Sequence, residues 1–289
     1  MNKLQIWALL KIGRFFVLIA GIIAFILGLS MAYYDLGFLD PLKAIIGLSI
    51  LVLATLAAHY ANEYADIDTD TITRRTWFSG GSGVLPSKIV PKSWALNSAR
   101  ILIAITIIIT ILSFYFGYLP FSGVLIVGIG LFGGWFYSMP PLQLERTSLG
   151  EIDNALLGGF LMPLIAYVPQ VGSLSLKEII ILIPVVLAVF VNLLGVHWSD
   201  RKADESCGKK TLVVNLDENT RTIHAVFTGL IYAISIFLIY LVPLKVVVAI
   251  FLTIPFALWS IIRFKESPMS SSFLMNAVMI FTSIGFIIS

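Results

Sequence analysis

Oxygen-bearing side chains recur four residues apart at two places in the chain, each at the end of a long apolar run. They are Asn62-x3-Asp66-x3-Asp70 and Asp200-x3-Asp204, the second followed by Gly208-Lys209-Lys210-Thr211-Leu212. Side chains four apart share a helix face, so each set stacks like charges one turn above another, which is repulsive until a cation neutralises it. Hard oxygen donors favour Mg2+ or Ca2+, and Mg2+ commonly takes a few carboxylates together with phosphate oxygens of a substrate. The pattern predicts two facing clusters, with Asn62, Asp66, Asp70, Asp200 and Asp204 as ligands, that grip a phosphorylated compound at a membrane surface. Asp68 is offset by two from Asp66, points off the shared face and is left out of the set. Taken alone, either cluster reads as solvated loop acids; the pairing of the two favours a site.

The elements that must hold these residues are membrane helices. Hydrophobic residues make up 58% of the 289-residue chain and charged residues 12%, and the mean hydropathy is +0.97, far from a soluble balance. Apolar runs of about 20 residues predict an all-α, polytopic membrane protein whose nine transmembrane helices form a bundle around a central cavity open to the cytoplasmic face. The spans fall near 15–33, 41–65, 92–117, 120–137, 151–170, 176–198, 221–241, 244–263 and 269–288. The run from Phe15 to Ala32 is longer than a signal-peptide core and lacks a convincing cleavage site, so it is kept as a helix. Residues 1–289 are read as one transmembrane domain, with motif loops near 66–92 and 200–219. The lone cysteine, Cys207, excludes an internal disulfide framework, and a net charge of +3 is too small to suggest nucleic acid.

With a cytoplasmic amino terminus, all but Lys43, Lys177 and Lys245 of the 19 Lys and Arg residues lie on the inner side, as the positive-inside rule requires. The carboxyl terminus is then outside, and both acidic motifs share the cytoplasmic face. The membrane expected is the plasma membrane of a prokaryote. A short internal echo supports this geometry: Asn62-x3-Asp66-x3-Asp70 recurs as Asn192-x3-Val196-x3-Asp200-x3-Asp204, each at the exit of an even-numbered span.

These features resemble the UbiA superfamily of intramembrane prenyltransferases, whose hallmarks are an NxxxDxxxD motif after the second helix, a DxxxD motif after the sixth and a tyrosine-containing loop after the fourth. Here they correspond to Asn62, Asp66 and Asp70, to Asp200 and Asp204, and to Tyr137-Ser138-Met139-Pro140-Pro141. Gly80-Gly81-Ser82-Gly83-Val84-Leu85, Leu149-Gly150-Glu151 and the Gly208 to Leu212 run are most similar to the branch that prenylates dihydroxynaphthoate on the way to menaquinone. Glu63, where many members carry Asp, and His197, where this branch commonly has Asn, depart from that pattern and bear on acceptor recognition.

The resemblance implies an isoprenyl diphosphate as donor, Mg2+ as cofactor and a lipophilic or aromatic acceptor, in contact with membrane lipid. It also implies that Arg14 contacts diphosphate and that the Tyr137 ring faces the allylic cation while its hydroxyl, with that of Ser138, donates to a diphosphate oxygen; otherwise Tyr137 is an ordinary interfacial tyrosine. Arg74, Arg75 and Lys88 flank a glycine run whose backbone N–H groups can cradle an anion, and they are candidate diphosphate contacts beside the alternative that they meet lipid headgroups. Lys209 and Lys210 either fold back over the second cluster or are solvated. After the proline pair, where the family often places a lysine, this chain offers Glu145 and Arg146, and Arg146 is the candidate to stand in for it. His197, one turn before Asp200, either orients that carboxylate or takes a proton from the acceptor. His59 is read as a hydrogen-bonded helix residue, and Trp77, Trp94, Trp135 and Trp198 as an inner aromatic belt.

An allylic diphosphate ionises when the departing diphosphate is neutralised, which is work for opposed metal-carboxylate clusters. The alternatives are prenyl transfer to a non-quinone acceptor, such as geranylgeranylglycerol phosphate or haem, and an ion-coupled transporter. A transporter would carry its carboxylates near the bilayer midplane on broken helices, whereas these lie at span ends.

Overall fold

A computed structural model describes residues 3–72 and 81–289, apart from the side chain of Phe16. All regular elements among them are helical. In chain order they are α1 (Lys3–Ile12), α2 (Phe15–Leu36), α3 (Pro41–Ala65), α4 (Ile67–Ile72), α5 (Lys92–Tyr115), α6 (Phe121–Ser138), α7 (Gly150–Leu156), α8 (Met162–Val171), α9 (Leu176–Ser206), α10 (Leu212–Leu216), α11 (Thr220–Phe237), α12 (Leu244–Phe251), α13 (Ile254–Ile262) and α14 (Pro268–Ile287). A π turn, Leu157–Leu161, joins α7 to α8. Nine spans among the described residues are long and apolar enough to cross a bilayer, which makes the chain an integral membrane protein.

Local sequence sets the helix starts. Asp40 accepts from the Leu42 and Lys43 amides at 2.8 and 3.2 Å, with Pro41 in the first turn, and Ser175 and Glu178 form a reciprocal capping box at the head of α9. Inside the bundle, Thr106, Thr110 and Ser235 return their hydroxyls to carbonyls one turn back, so polar side chains sit in apolar surroundings without orphaned donors. The most enclosed membrane spans are those of α9 and α14, where Leu182, Leu194, Leu274 and Val278 are fully buried. By contrast α3 and α5 turn Ile45, Ile101, Ile108 and Ile111 outward, as lipid-facing helices do.

The sixth span continues as helix to Ser206, past the residue 198 boundary expected from hydropathy, so Asp200 and Asp204 remain on its last turns. Ahead of the first span lies α1, a short helix that the run of apolar residues does not announce. Its Ala8 and Ile12 pack with Tyr60 and Ala61 of α3, Val84, Leu85 and Val90 of the following loop, and Ala95 and Ala99 of α5. This small core braces the glycine loop against the end of α3. Trp198 is buried against Phe264 with the Arg201 guanidinium 3.6 Å over its ring, so it belongs to the bundle interior and not to an interfacial belt.

Candidate active site

The two acidic motifs occupy the carboxyl ends of α3 and α9. Asp66 is the C-cap of α3, its amide bonded to the Asn62 carbonyl at 2.8 Å, and the Asp70 amide reaches the Asp66 carbonyl at 2.8 Å, so Asn62, Asp66 and Asp70 stay in helical register across the break between α3 and α4. A helix C-terminus carries about half a negative charge of its own. Carboxylates placed there are doubly disfavoured unless a cation faces them, and the structure supplies one.

That cation is Lys209, 6% exposed. Its Nζ lies 2.6 Å from Asp66 Oδ1 and 3.7 Å from Asp204 Oδ1, joining the two helix ends. Gly208, at φ +72°, reverses the chain after α9, and the Lys209 amide bonds the Asp204 carbonyl at 2.9 Å, which aims the side chain back across the helix end. Burial pulls the ammonium down, but Asp66, Glu145 and Asp204 outweigh it and hold it above its ordinary range. Lys210, in contrast, is exposed.

Beneath Asp66 lies a polar layer. Asn62 Nδ2 donates to Asp66 Oδ2 at 2.8 Å and to Glu145 Oε2 at 2.7 Å, with Ser138 Oγ at 3.2 Å, and Ser138 donates to the same Glu145 oxygen at 2.9 Å. Glu145 is 6% exposed, and burial together with the Asp66 charge pushes its carboxyl above the usual range. The sequence marks Glu145 only as a departure from an expected lysine; its partners come from residues 83 and 7 positions away.

Asp70 turns instead to the glycine loop. Burial, then the charges of Glu63 and Asp66, raise its carboxyl to about 7 against the pull of Arg14 and Lys209. Gly81, at φ +58°, lies so close that a Cβ there would stand 1.9 Å from Asp70 Oδ2. The loop is pinned by Glu63, which accepts from the Ser82 amide and, at 2.7 Å, from the Ser82 hydroxyl. Arg14 sits at a left-handed turn between α1 and α2, close enough for its charge to act on His59, Glu63 and Asp70. The Gly13 carbonyl beside it is held by His59 Nδ1 at 2.8 Å.

The remaining candidates divide. His197 Nδ1 lies 3.1 Å from Oε1 of the fully buried Glu151, whose Oε2 accepts from the Leu212 amide at 3.2 Å. Half-buried Tyr137 interacts with Asn154. Arg146 donates to the Cys207 carbonyl at 2.9 Å and accepts the Lys210 amide at its own carbonyl, also 2.9 Å, so it fastens the turn that carries Lys209. Lys88 is exposed, lining an open cleft of about 480 Å3 with Gln5 and Ile67. Arg74 and Arg75 lie outside the described residues. Among the described residues no three Asp, Glu, His or Cys side chains converge as one ion-binding set; Asp66 and Asp204 converge on Lys209 while Asp70 faces Gly81.

An all-helical integral membrane protein with acidic motifs joined at one end of its bundle is the class that this fold and site define. Residues 17–283 match the UbiA prenyltransferase family, and the chain belongs to it. It is 26% identical over 166 residues to a 1,4-dihydroxy-2-naphthoate octaprenyltransferase of Bacillus subtilis (strain 168), a match over 55% of this chain and 50% of the relative, so the aligned stretch spans half of that protein's length. A UbiA homolog from Archaeoglobus fulgidus, solved bound to DMAPP and Mg2+, shares the fold with a TM-score of 0.71 at 14% identity, over 96% of this chain and 98% of that one. A digeranylgeranylglyceryl phosphate synthase does so with a TM-score of 0.70 at 15% identity, over 99% of each chain.

Proposed function

We propose that the protein transfers a prenyl group from an isoprenyl diphosphate to a dihydroxynaphthoate-like aromatic acceptor, with Mg2+ and with residues 1–289 acting as one catalytic domain in a prokaryotic plasma membrane. The observation that carries this reading is the convergence of Asp66 and Asp204, from two separate helix ends, on a single buried positive charge. The donor set fits the ion: hard oxygens crowded at two helix C-termini, with Asp70 raised to about 7 by burial and by its acidic neighbours, demand more positive charge than one ammonium supplies. Asn62, Asp66, Asp70, Asp200 and Asp204 are the residues that would hold Mg2+, which when bound supplies electrostatic stabilisation of the departing diphosphate.

The chain's own groups do the rest. Asn62 is oriented by Glu145 and Ser138 so that its carboxamide holds Asp66 in place. Arg14, Lys209 and, at the rim, Lys88 and Lys210 present positive charge to the diphosphate, with Arg74 and Arg75 proposed to join them. Tyr137 offers its ring face to the developing allylic cation. Glu151 fixes His197 through Nδ1, so that Nε2 is the nitrogen available to orient an acceptor hydroxyl or receive its proton. Arg146 acts through the Gly208 turn and not by direct contact.

The test is incubation of purified protein with Mg2+, labelled geranylgeranyl diphosphate and a panel containing dihydroxynaphthoate, geranylgeranylglycerol phosphate and haem. Prenylated naphthoate, lost in Asp66→Asn and Asp204→Asn variants that remain folded, is the expected result. A prenylated glycerol phosphate or haem would reassign the acceptor, and ion flux without any prenylated product would replace the enzyme with a transporter.

A further inference from the structure

Lys209 occupies an unusual place for a loop lysine. Its ammonium is enclosed, its two carboxylate partners, Asp66 and Asp204, come from different helix ends, and the turn that carries it is fastened at three points: Lys209 N to the Asp204 carbonyl, Lys210 N to the Arg146 carbonyl, and Arg146 to the Cys207 carbonyl. A solvated lysine has no need of such a mount. An ammonium and a divalent ion compete for the same carboxylate oxygens, since both seek their lone pairs and repel each other at that distance. One positive charge between the Asp66 and Asp204 carboxylates also leaves that pair net negative, so it holds the helix ends together without removing their demand for a divalent ion.

We propose that Lys209 is a tethered counter-ion: it bridges Asp66 and Asp204 when no divalent ion is bound, is displaced when one arrives, and so sets both the stability of the metal-free bundle and its apparent affinity for the metal. The inference rests on the Mg2+ reading given above. The side chain is suited to exchange. Four flexible methylenes follow the left-handed Gly208, so the ammonium can swing from the carboxylates toward the rim while its backbone stays fixed. Asp66 Oδ2 keeps its bond from Asn62 throughout, because Lys209 uses only Oδ1. With a metal held by Asp66 and Asp204, the Lys209 ammonium would be left free beside the acidic motifs, available to the anionic diphosphate of the proposed reaction.

The experiment uses the full-length protein in detergent micelles without diphosphate. Thermal unfolding is followed in EDTA and in saturating Mg2+, and Mg2+ affinity is measured by calorimetry, for wild type, Lys209→Met and Lys209→Arg. Lys209→Met should lower the midpoint in EDTA by roughly 5 °C or more, because two buried carboxylates lose their partner, and Mg2+ should restore it. Its Mg2+ dissociation constant should fall about tenfold or more, since no competing cation remains to be displaced. Lys209→Arg, which retains the charge, should stay near wild type in EDTA. A Lys209→Met protein with unchanged or weaker Mg2+ binding would overturn the exchange while leaving the metal site standing; no Mg2+ binding by wild type or variant would overturn the metal reading and the exchange with it. Should Lys209→Met not fold, acylation of wild-type lysines decides: Mg2+ should raise modification of Lys209 several-fold against exposed Lys210 as internal reference, and an unchanged ratio would refute displacement.

Discussion

Glu63→Gln isolates the attachment of the glycine loop from the rest of the site. Glu63 is 1% exposed and accepts from both the amide and the hydroxyl of Ser82, and these bonds fix the loop at the point where Gly81 touches Asp70. Glutamine preserves the shape but keeps one acceptor oxygen and aims an NH2 group at the other donor. A hydrogen bond to a charged acceptor is worth about 1.5–3 kcal/mol and each 1.4 kcal/mol is tenfold, so local opening of the loop should become roughly 10 to 100 times more frequent. Hydrogen exchange followed by mass spectrometry on a peptide spanning residues 81–90 reads this directly, with the α9 and α14 amides as controls that should not change. The diphosphate KM should rise in parallel, because a loosened loop no longer buttresses Asp70. Unchanged exchange at Ser82 and Val84 in a folded Glu63→Gln protein would refute the anchoring role.

Three further outcomes follow from the same geometry. Gly81→Ala forces a Cβ into Asp70 at a positive φ and should cost more in prenyl transfer than Ser87→Ala on the same loop, by about tenfold or more; equal rates would remove the Gly81–Asp70 contact from the site. His197→Ala and Glu151→Gln should each raise the acceptor KM while Mg2+-dependent diphosphate binding, measured by calorimetry, is retained, and loss of diphosphate binding would move the pair into the metal-holding set. Cysteines introduced as Ser87→Cys and Ser206→Cys in a Cys207→Ser background should both react with a membrane-impermeant thiol reagent from the cytoplasmic side alone, and labelling from opposite sides would be incompatible with the proposed orientation.

Long-range pattern was legible in the chain because it is a property of one helix at a time. The lengths of the apolar runs depend only on bilayer thickness, so nine spans could be counted, and a spacing of four residues places Asn62, Asp66 and Asp70 on one helix face whatever surrounds it. Family membership was legible for the same reason, since ordered motifs at helix ends survive as strings. Hydropathy misjudged the end of α9 because Ser199 to Ser206 are mostly polar, yet they stay helical, with local pairs such as Arg201 over Trp198 and Lys209 with Asp204, and with the distant Arg146 holding the Cys207 carbonyl just beyond. The partners were decided by folding alone. Whether Lys209 is solvated or buried, whether Glu145 is a stray acid or the brace of Asn62, and whether His197 meets Glu151 depend on pairs separated by 143, 83 and 46 residues, which only the packing of α3, α6, α7 and α9 brings within hydrogen-bond distance.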